Sequence, residues 1–125
     1  MYTHPPKHKK THKQDLKQKF YFKIFFQVYN FAIRSTLLST EVLKHIGDFS
    51  DAAMMMIKLT SEDSDLLSAL MLEQAAHCFI NHHHPMPRKY AFHMTLAGHR
   101  FSKAGQKFHS FRSYQQAFQV SGVDG

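Results

Sequence analysis

The chain has 125 residues, 43% apolar and 14% aromatic, which is long enough for one domain with a modest core and too short for two ordinary domains. Its one cysteine, Cys78, excludes an internal disulfide and fits a reducing compartment. The longest apolar runs are far too short to cross a bilayer.

The net charge of +7 is distributed unevenly along the chain. Residues 1–26 contain seven lysines and one aspartate, net +6; residues 27–84 contain three basic and seven acidic side chains, net −4. Residues 85–125 contain six basic and one acidic side chain, net +5. An acidic middle between two basic ends argues against one continuous nucleic-acid-binding face, so no nucleic-acid partner is expected.

Residues 1–26 predict a basic arm with an aromatic end. Residues 1–19 have almost no apolar content and predict disorder, and the dense segment "FYFKIFFQVYNF" follows. Two interpretations of that segment stay open. Its aromatic side chains cover the open end of the helices that follow, or Lys17, Lys19 and Lys23 and the phenylalanines form a helix on a membrane surface.

From about residue 28 the sequence predicts one helix after another. Apolar residues of the first helix recur at helical spacings: Phe31, Leu38, Val42 and Ile46. Gly47 is a natural terminator for this helix. A short Met-rich helix is predicted over residues 50–59, with Asp48 or Ser50 placed to cap it.

The longest helix is predicted over residues 62–81, with three acidic residues at its start that suit the positive end of the helix dipole. Its apolar residues form one stripe of Leu67, Leu70, Met71, Ala75 and Cys78, widened by Leu66, Ala69, Ala76 and Ile80. So broad an apolar surface predicts a helix packed between neighbours.

The prolines of "HHHPMP" end that helix, and Pro87 suits the first turn of the next one, predicted over residues 87–103. "KAGQK" then predicts a tight turn, and the last helix runs to about Val120. That helix carries an aromatic stripe which no later helix covers, Phe108, Phe111, Tyr114 and Phe118. Such a stripe predicts a binding or self-association site. No strand is predicted.

Two segments, "STEVLKHIGDFSDAAMMMIKL" and "LAGHRFSKAGQKFHSFRSYQQAF", each predict a helix, a single-glycine turn and a second helix. Aligned on Gly47 and Gly105, both follow the tetratricopeptide arrangement of small and apolar positions. Ala52, Ser110 and Ala117 fall where helices cross closely.

This pattern predicts an all-α, tetratricopeptide-like α-solenoid fragment of about five antiparallel helices with a disordered basic N-terminal arm. An unrelated small helical bundle is the alternative. The predicted divisions are an arm over residues 1–26, a helical region over 27–120 and a tail over 121–125.

The histidine-rich stretch "HCFINHHHPMPRKYAFH", residues 77–93, raises the question of a metal site. Zinc ligands must converge tetrahedrally, whereas the histidines at 82–84 are consecutive, and His77 and Cys78 fan apart by about 100° on a helix. Glu73 and His77 stand four apart, so the Glu-x-x-His pair of di-iron bundles is absent. We interpret the stretch as a joint between two helices and predict no metal site.

The sequence predicts no catalytic residue and no cofactor. Cys78 lies within an apolar stripe, where a thiol usually serves as a small hydrophobic group. The chain contains no nucleophile elbow, glycine-rich phosphate loop or paired-carboxylate motif. An enzyme is therefore not expected.

Four stretches of sequence carry a resemblance to a known family: "LTSEDSD" (59–65), "LEQAAHCFIN" (72–81), "RKYAFHM" (88–94) and "LAGHRFSKAGQK" (96–107). In this order they closely resemble the subunit 8 family of the transport (trafficking) protein particle complex, TRAPP. A weaker likeness extends from about Phe31 to Val120, while residues 1–26 match nothing in the family. The resemblance implies a partial or truncated form.

The resemblance implies a non-catalytic scaffold or protein-interaction segment of a vesicle-tethering, TRAPP III-type complex in endoplasmic-reticulum-to-Golgi transport and autophagy. Implied partners are other TRAPP subunits and, indirectly, a Rab-type GTPase. The implied location is cytoplasmic, with peripheral contact at Golgi and ER–Golgi intermediate membranes. Nucleotide exchange belongs to other subunits in the family, so no catalytic residue is carried over. The alternatives are a basic peripheral module that binds anionic membrane or RNA, and a fragment without function.

Overall fold

The computed structural model describes residues 11–61 and 64–123, and all regular structure in these ranges is helical. Five helices follow one another there: α1 His12–His45, α2 Phe49–Lys58, α3 Asp65–Asn81, α4 Pro87–Lys103 and α5 Lys107–Val123. The prediction of an all-α protein with about five helices is confirmed. The chain divides into two compact units, Met1–Arg34 and Ser35–Gly125, which are described separately.

In the first unit, α1 begins at His12, which corrects the disorder predicted for the arm. Thr11 and Gln14 form a capping box: the Gln14 N–H donates to Thr11 Oγ1 at 3.3 Å, and the Thr11 N–H donates to Gln14 Oε1 at 3.1 Å. The lysines and glutamines that follow are good helix formers, so low apolar content does not prevent a helix. Residues 1–10 of the predicted arm lie outside the described residues.

In the second unit, the end of α1 uses a different side from the predicted stripe to contact the core. Thr40 is buried, and Leu37 and Leu43 pack against a cluster of side chains from α2 and α3. The predicted stripe residues of this unit are exposed: Leu38 by 70%, Val42 by 55% and Ile46 by 71%. The helix was predicted correctly, but its buried side was not: the side that contacts the core carries Leu37, Thr40 and Leu43.

Two glycine turns of the same geometry end α1 and α4. Gly47 has a φ of 85° and Gly105 a φ of 75°, a region that other residues rarely adopt. The residue after each glycine donates its N–H to the carbonyl five positions earlier, at 2.8 Å in both turns. This is the Schellman arrangement, which satisfies the last carbonyls of a helix. The glycine terminators predicted from the sequence are confirmed.

Side-chain caps begin α2 and α3. Asp48, one of the two predicted candidates, caps α2 by accepting the Asp51 N–H at 3.3 Å. The Asp48 carboxylate also raises the pKa of Asp51, because it can accept a hydrogen bond from the protonated Asp51 side chain and because its negative charge disfavours a second one. Ser64 caps α3, so that helix begins at Asp65, later than the predicted residue 62. Residues 62 and 63 lie outside the described residues.

α3 packs between α2 and α4, as its broad apolar surface predicted. Its buried residues are Ser68, Ala69, Met71, Leu72, Ala75, Ala76, Cys78 and Phe79. Leu66 and Leu70, which were predicted in the apolar surface, are 45% and 43% exposed. α3 and α4 run antiparallel. Asp65 at the start of α3 accordingly pairs with Arg100 near the end of α4, at 2.8 Å.

α4 and α5 approach each other where their side chains are small. The Ser110 hydroxyl donates to the Gly98 carbonyl at 2.8 Å. A Cβ atom added to Gly98 would lie 2.7 Å from Tyr114 Cε1, so only glycine fits without a shift. The three small positions predicted at helix crossings, Ala52, Ser110 and Ala117, are all buried.

Candidate interaction surfaces

The histidine-rich stretch connects α3 and α4. His82 is the C-cap of α3 with an extended backbone, φ −60° and ψ 148°, and Pro87 opens α4. The Met86 N–H donates to the Phe79 carbonyl at 3.0 Å and so closes the connection onto the end of α3. The interpretation of this stretch as a joint between two helices agrees with its geometry.

The three histidines of the joint contact one another. The rings of His82 and His83 stack with centroids 4.2 Å apart, and the His84 N–H donates to His82 Nδ1 at 3.0 Å. Loss of hydration, followed by the charges of His82 and His84, lowers the pKa of His83. Within residues 11–61 and 64–123, no three His, Cys, Asp or Glu side chains are grouped so that they could hold a metal ion.

His77 and Cys78 point in different directions from the end of α3. Cys78 is 2% exposed and belongs to the cluster with α2, and burial raises the pKa of its thiol. The His77 ring meets Tyr90 of α4 edge-on at 5.9 Å, and its Nε2 lies 3.9 Å from Glu73 Oε1. These residues make packing contacts between helices and do not converge on one point.

The outer side of α5 presents an aromatic surface, which we call the α5 stripe: Phe108, Phe111 and Phe118. These side chains are 73%, 67% and 76% exposed. The opposite side of the same helix is buried and consists of small residues, among them Ser110, Ser113 and Ala117. The exposed stripe predicted for the last helix is thus present for three of its four members.

Tyr114, the fourth predicted member, belongs to the α4 contact. Its hydroxyl forms a hydrogen bond with His99 Nδ1 at 2.8 Å, and the two rings meet edge-on with centroids 5.4 Å apart. Its ring also covers Gly98. Sequence spacing placed Tyr114 beside the phenylalanines, but the glycine on α4 leaves room for its ring.

A second exposed apolar surface lies at the end of α1 within the second unit, and we call it the α1 stripe: Leu38 and Val42 of the helix, and Ile46 just after it. The three residues are four positions apart, so they share one side of the helix. α1 and α5 are the first and last helices of this unit in chain order. Both therefore have an apolar side that no described residue covers.

The first unit exposes a dense run of large apolar side chains. All of the following are exposed: Leu16, Phe20, Tyr21, Phe22, Ile24, Phe25, Phe26, Val28, Tyr29 and Phe31. The sequence had identified this segment by composition, and its two interpretations, a cover for other helices and a membrane-surface helix, stay predictions. No helix in the described part of the chain combines the length and the apolar character needed to cross a bilayer.

The comparison with curated proteins supports the resemblance predicted from the sequence. The chain is 68% identical over 89 residues, 71% of its length, to human "Trafficking protein particle complex subunit 8". The chain spans about 6% of the length of that relative. No protein-family model matches the chain. Most of the chain is therefore similar to one short segment of TRAPP subunit 8.

Proposed function

We propose that the chain is a non-catalytic scaffold or protein-interaction segment of a vesicle-tethering, TRAPP III-type complex that acts in endoplasmic-reticulum-to-Golgi transport and autophagy. The observation that carries this proposal is the 68% identity over 89 residues to human TRAPP subunit 8. The helical region over residues 27–120 would carry the scaffold role, without catalytic, cofactor or metal-binding residues. The arm over residues 1–26 and the tail over 121–125 would lie outside it.

We further propose that the helical region is a tetratricopeptide-like solenoid segment. The identical turns at Gly47 and Gly105 support this proposal, as do the buried small residues that follow each turn at the same distance, Ala52 and Ser110. A solenoid stacks helix pairs so that each pair covers the next one. The contacts of α2 with α3, α3 with α4 and α4 with α5 follow that order.

The partners in this proposal are other TRAPP subunits, with a Rab-type GTPase reached indirectly through them. The α1 stripe and the α5 stripe support protein partners, because exposed apolar surface at both ends of a helix stack is typical of surfaces that other helices cover. The proposed location is cytoplasmic, peripheral at Golgi and ER–Golgi intermediate membranes.

Co-purification tests the proposal. A tagged chain expressed in human cells is solubilised in detergent and captured, and the recovered proteins are identified by mass spectrometry. We expect TRAPP subunits, and we expect their recovery to persist at raised ionic strength because apolar helix docking is weakly screened.

The matched variants act on the α5 stripe. Replacing Phe108, Phe111 and Phe118 by Gln removes the apolar surface without touching the core, and recovery of TRAPP subunits should fall at least about tenfold. The polar control Gln116→Glu on the same helix should leave recovery unchanged. Capture without any TRAPP subunit from the wild-type chain would contradict the proposal. Capture of RNA alone, lost steeply with salt, would favour the basic-module alternative.

A further inference from the structure

The first unit contains a helical segment, residues 19–34, whose polar residues lie on one side, whereas Lys17 and Gln18 just before it lie on the other. At about 100° per residue, Lys19, Lys23, Asn30 and Arg34 fall within about 60° of one another. Tyr21, Phe25 and Val28 lie directly opposite, and they are 64%, 71% and 61% exposed. The segment is therefore amphipathic, with a broad apolar side and a narrow basic side.

The apolar side is aromatic and is exposed along its length. Around Tyr21, Phe25 and Val28 it continues on one flank with Phe20, Ile24 and Phe31 and on the other with Phe22, Phe26 and Tyr29, all of them exposed. Phe and Tyr side chains are rigid and suit the boundary between headgroups and acyl chains. So much apolar surface in contact with water is unfavourable, so this side requires a partner that covers it.

The charge of the segment is almost entirely positive. Residues 11–34 contain Lys13, Lys17, Lys19, Lys23 and Arg34 against Asp15 alone. Asp15 pairs with Lys19 at 3.5 Å, and both side chains are at least half exposed, so this ion pair is weak and easily exchanged. Long lysine side chains can lie along apolar surface and reach a phosphate layer with their ammonium groups.

We propose that residues 19–34 form an interfacial helix that binds an anionic lipid bilayer. Tyr21, Phe25 and Val28 enter the acyl boundary, and Lys19, Lys23 and Arg34 meet the headgroups. This proposal deepens the proposed peripheral membrane location by naming the lipid class and the residues that contact it.

The arrangement favours lipid over single-stranded RNA. RNA-binding surfaces interleave aromatic and basic side chains, because bases stack beside the phosphates that the cations bind. From Lys19 to Arg34 the two kinds of side chain lie on opposite sides of the helix, which matches a layer of negative charge above an apolar layer.

Vesicle flotation with the purified full chain tests the proposal without any other protein. The probes are vesicles of phosphatidylcholine alone and vesicles of phosphatidylcholine mixed with phosphatidylserine. We expect binding to the mixed vesicles to be stronger and to fall with salt. The double variant Lys19→Gln, Lys23→Gln should lose about fivefold in affinity per charge on the mixed vesicles, and little on the neutral ones.

The triple variant Tyr21→Gln, Phe25→Gln, Val28→Gln should lower the affinity for mixed vesicles by about a hundredfold. Circular dichroism checks that helix content is retained. The control replaces the three phenylalanines of the α5 stripe by Gln, which also removes three exposed apolar side chains but from another helix, and it should leave vesicle binding unchanged.

Three results would overturn the proposal: full vesicle binding by the triple variant, an equal loss in the α5 control, or wild-type binding to single-stranded RNA but not to mixed vesicles. The co-purification experiment is done in detergent and with protein partners. Failure of the lipid proposal therefore shows in flotation, and failure of the scaffold proposal shows in capture.

Discussion

The two units of the chain use apolar residues in opposite ways. The first exposes Phe22 and Phe25, each by 71%, among a dense run of aromatic side chains. The second builds its core largely from alanine, serine, methionine and cysteine; Ala52, Ala75 and Ala97 are completely buried. Large apolar side chains alone do not make a core. Burial here follows the small residues, because they let two helix axes come close enough to exclude water.

The same contrast occurs within α5. Its buried side carries Ser110, Ser113 and Ala117, while its phenylalanines face outward. The buried hydroxyl of Ser110 donates to the Gly98 carbonyl, so the polar atom is satisfied at the contact. On this helix, the large apolar side chains lie on one side, and the side that approaches α4 carries small residues. The size of the apolar side chains therefore does not show which side is buried.

Phenylalanines in the two kinds of environment give the largest expected difference. Phe101 is 2% exposed and packs with Ala69, Leu72 and Ala97, so Phe101→Ala should lower the free energy of unfolding by about 3–5 kcal/mol. Phe118→Ala and Phe25→Ala should change it by less than about 0.5 kcal/mol. Urea unfolding followed by circular dichroism measures all three.

A large loss from Phe25→Ala would break the comparison, because it would mean that the first unit contributes a core of its own. Equal, small effects from all three would mean that the second unit is not packed as described.

Overpacking at a helix crossing gives the next largest effect. Ala117 is 5% exposed between α5 and α4, and Ala117→Leu should destabilise the protein by about 1–3 kcal/mol. Ser121, one turn later on the same helix, is exposed, and Ser121→Leu should have little effect. Melting temperatures of the two variants test this, and similar values would show that Ala117 is not at a close contact.

Two glycines, Gly98 and Gly122, test how closely α4 and α5 approach each other. Gly98→Ala gains helix propensity of up to about 1 kcal/mol but drives a Cβ to 2.7 Å from Tyr114 Cε1. The ring must move and strain its hydrogen bond with His99, so we expect a net loss of about 1 kcal/mol. Gly122→Ala meets no atom within 4 Å and should be neutral or slightly stabilising. Stabilisation by Gly98→Ala would place Tyr114 elsewhere.

Much of the helical order could be predicted from local signals. Prolines, glycines and caps gave α2, α4 and the turns at Gly47 and Gly105 nearly as the structure has them. The start of α1 was not predicted, because low apolar content was taken to indicate disorder. Thr11 and Gln14, three residues apart, have the sequence of a capping box. Such a signal stabilises a helix without any core, so hydropathy does not reveal it.

The interaction surfaces were harder to predict than the helices. The spacing of Leu38, Val42 and Ile46 shows that they share a side but not whether another helix covers it. Tyr114 was grouped with the α5 stripe, since the room left by Gly98 depends on how α4 and α5 cross. The packing of neighbouring helices decides which apolar side is buried. The sequence of a single helix does not determine it.

The smallest effect is expected at the joint between α3 and α4. Replacing the histidines at 82–84 by Gln removes exposed ring contacts and the His82 acceptor but leaves Pro87 and the Met86 hydrogen bond, so helicity and melting well above pH 6.5 should hardly change. Stoichiometric zinc bound by the wild type and lost in this variant would contradict the joint interpretation.

The lowered pKa of His83 should make the stability of the protein depend slightly on pH. The pKa of His83 is lowered from 6.5 by loss of hydration and by His82 and His84, so the unfolded chain takes up a proton more readily than the folded one. Stability is unaffected well above 6.5 and declines as the pH falls from 6.5 to the lowered pKa, where the folded chain is protonated as well. The melting temperature of the wild type should therefore fall slightly more than that of His83→Gln over this range. A larger acid loss in His83→Gln would mean that the protonated ring is stabilised in the fold, as a histidine facing the carbonyls at the end of α3 would be.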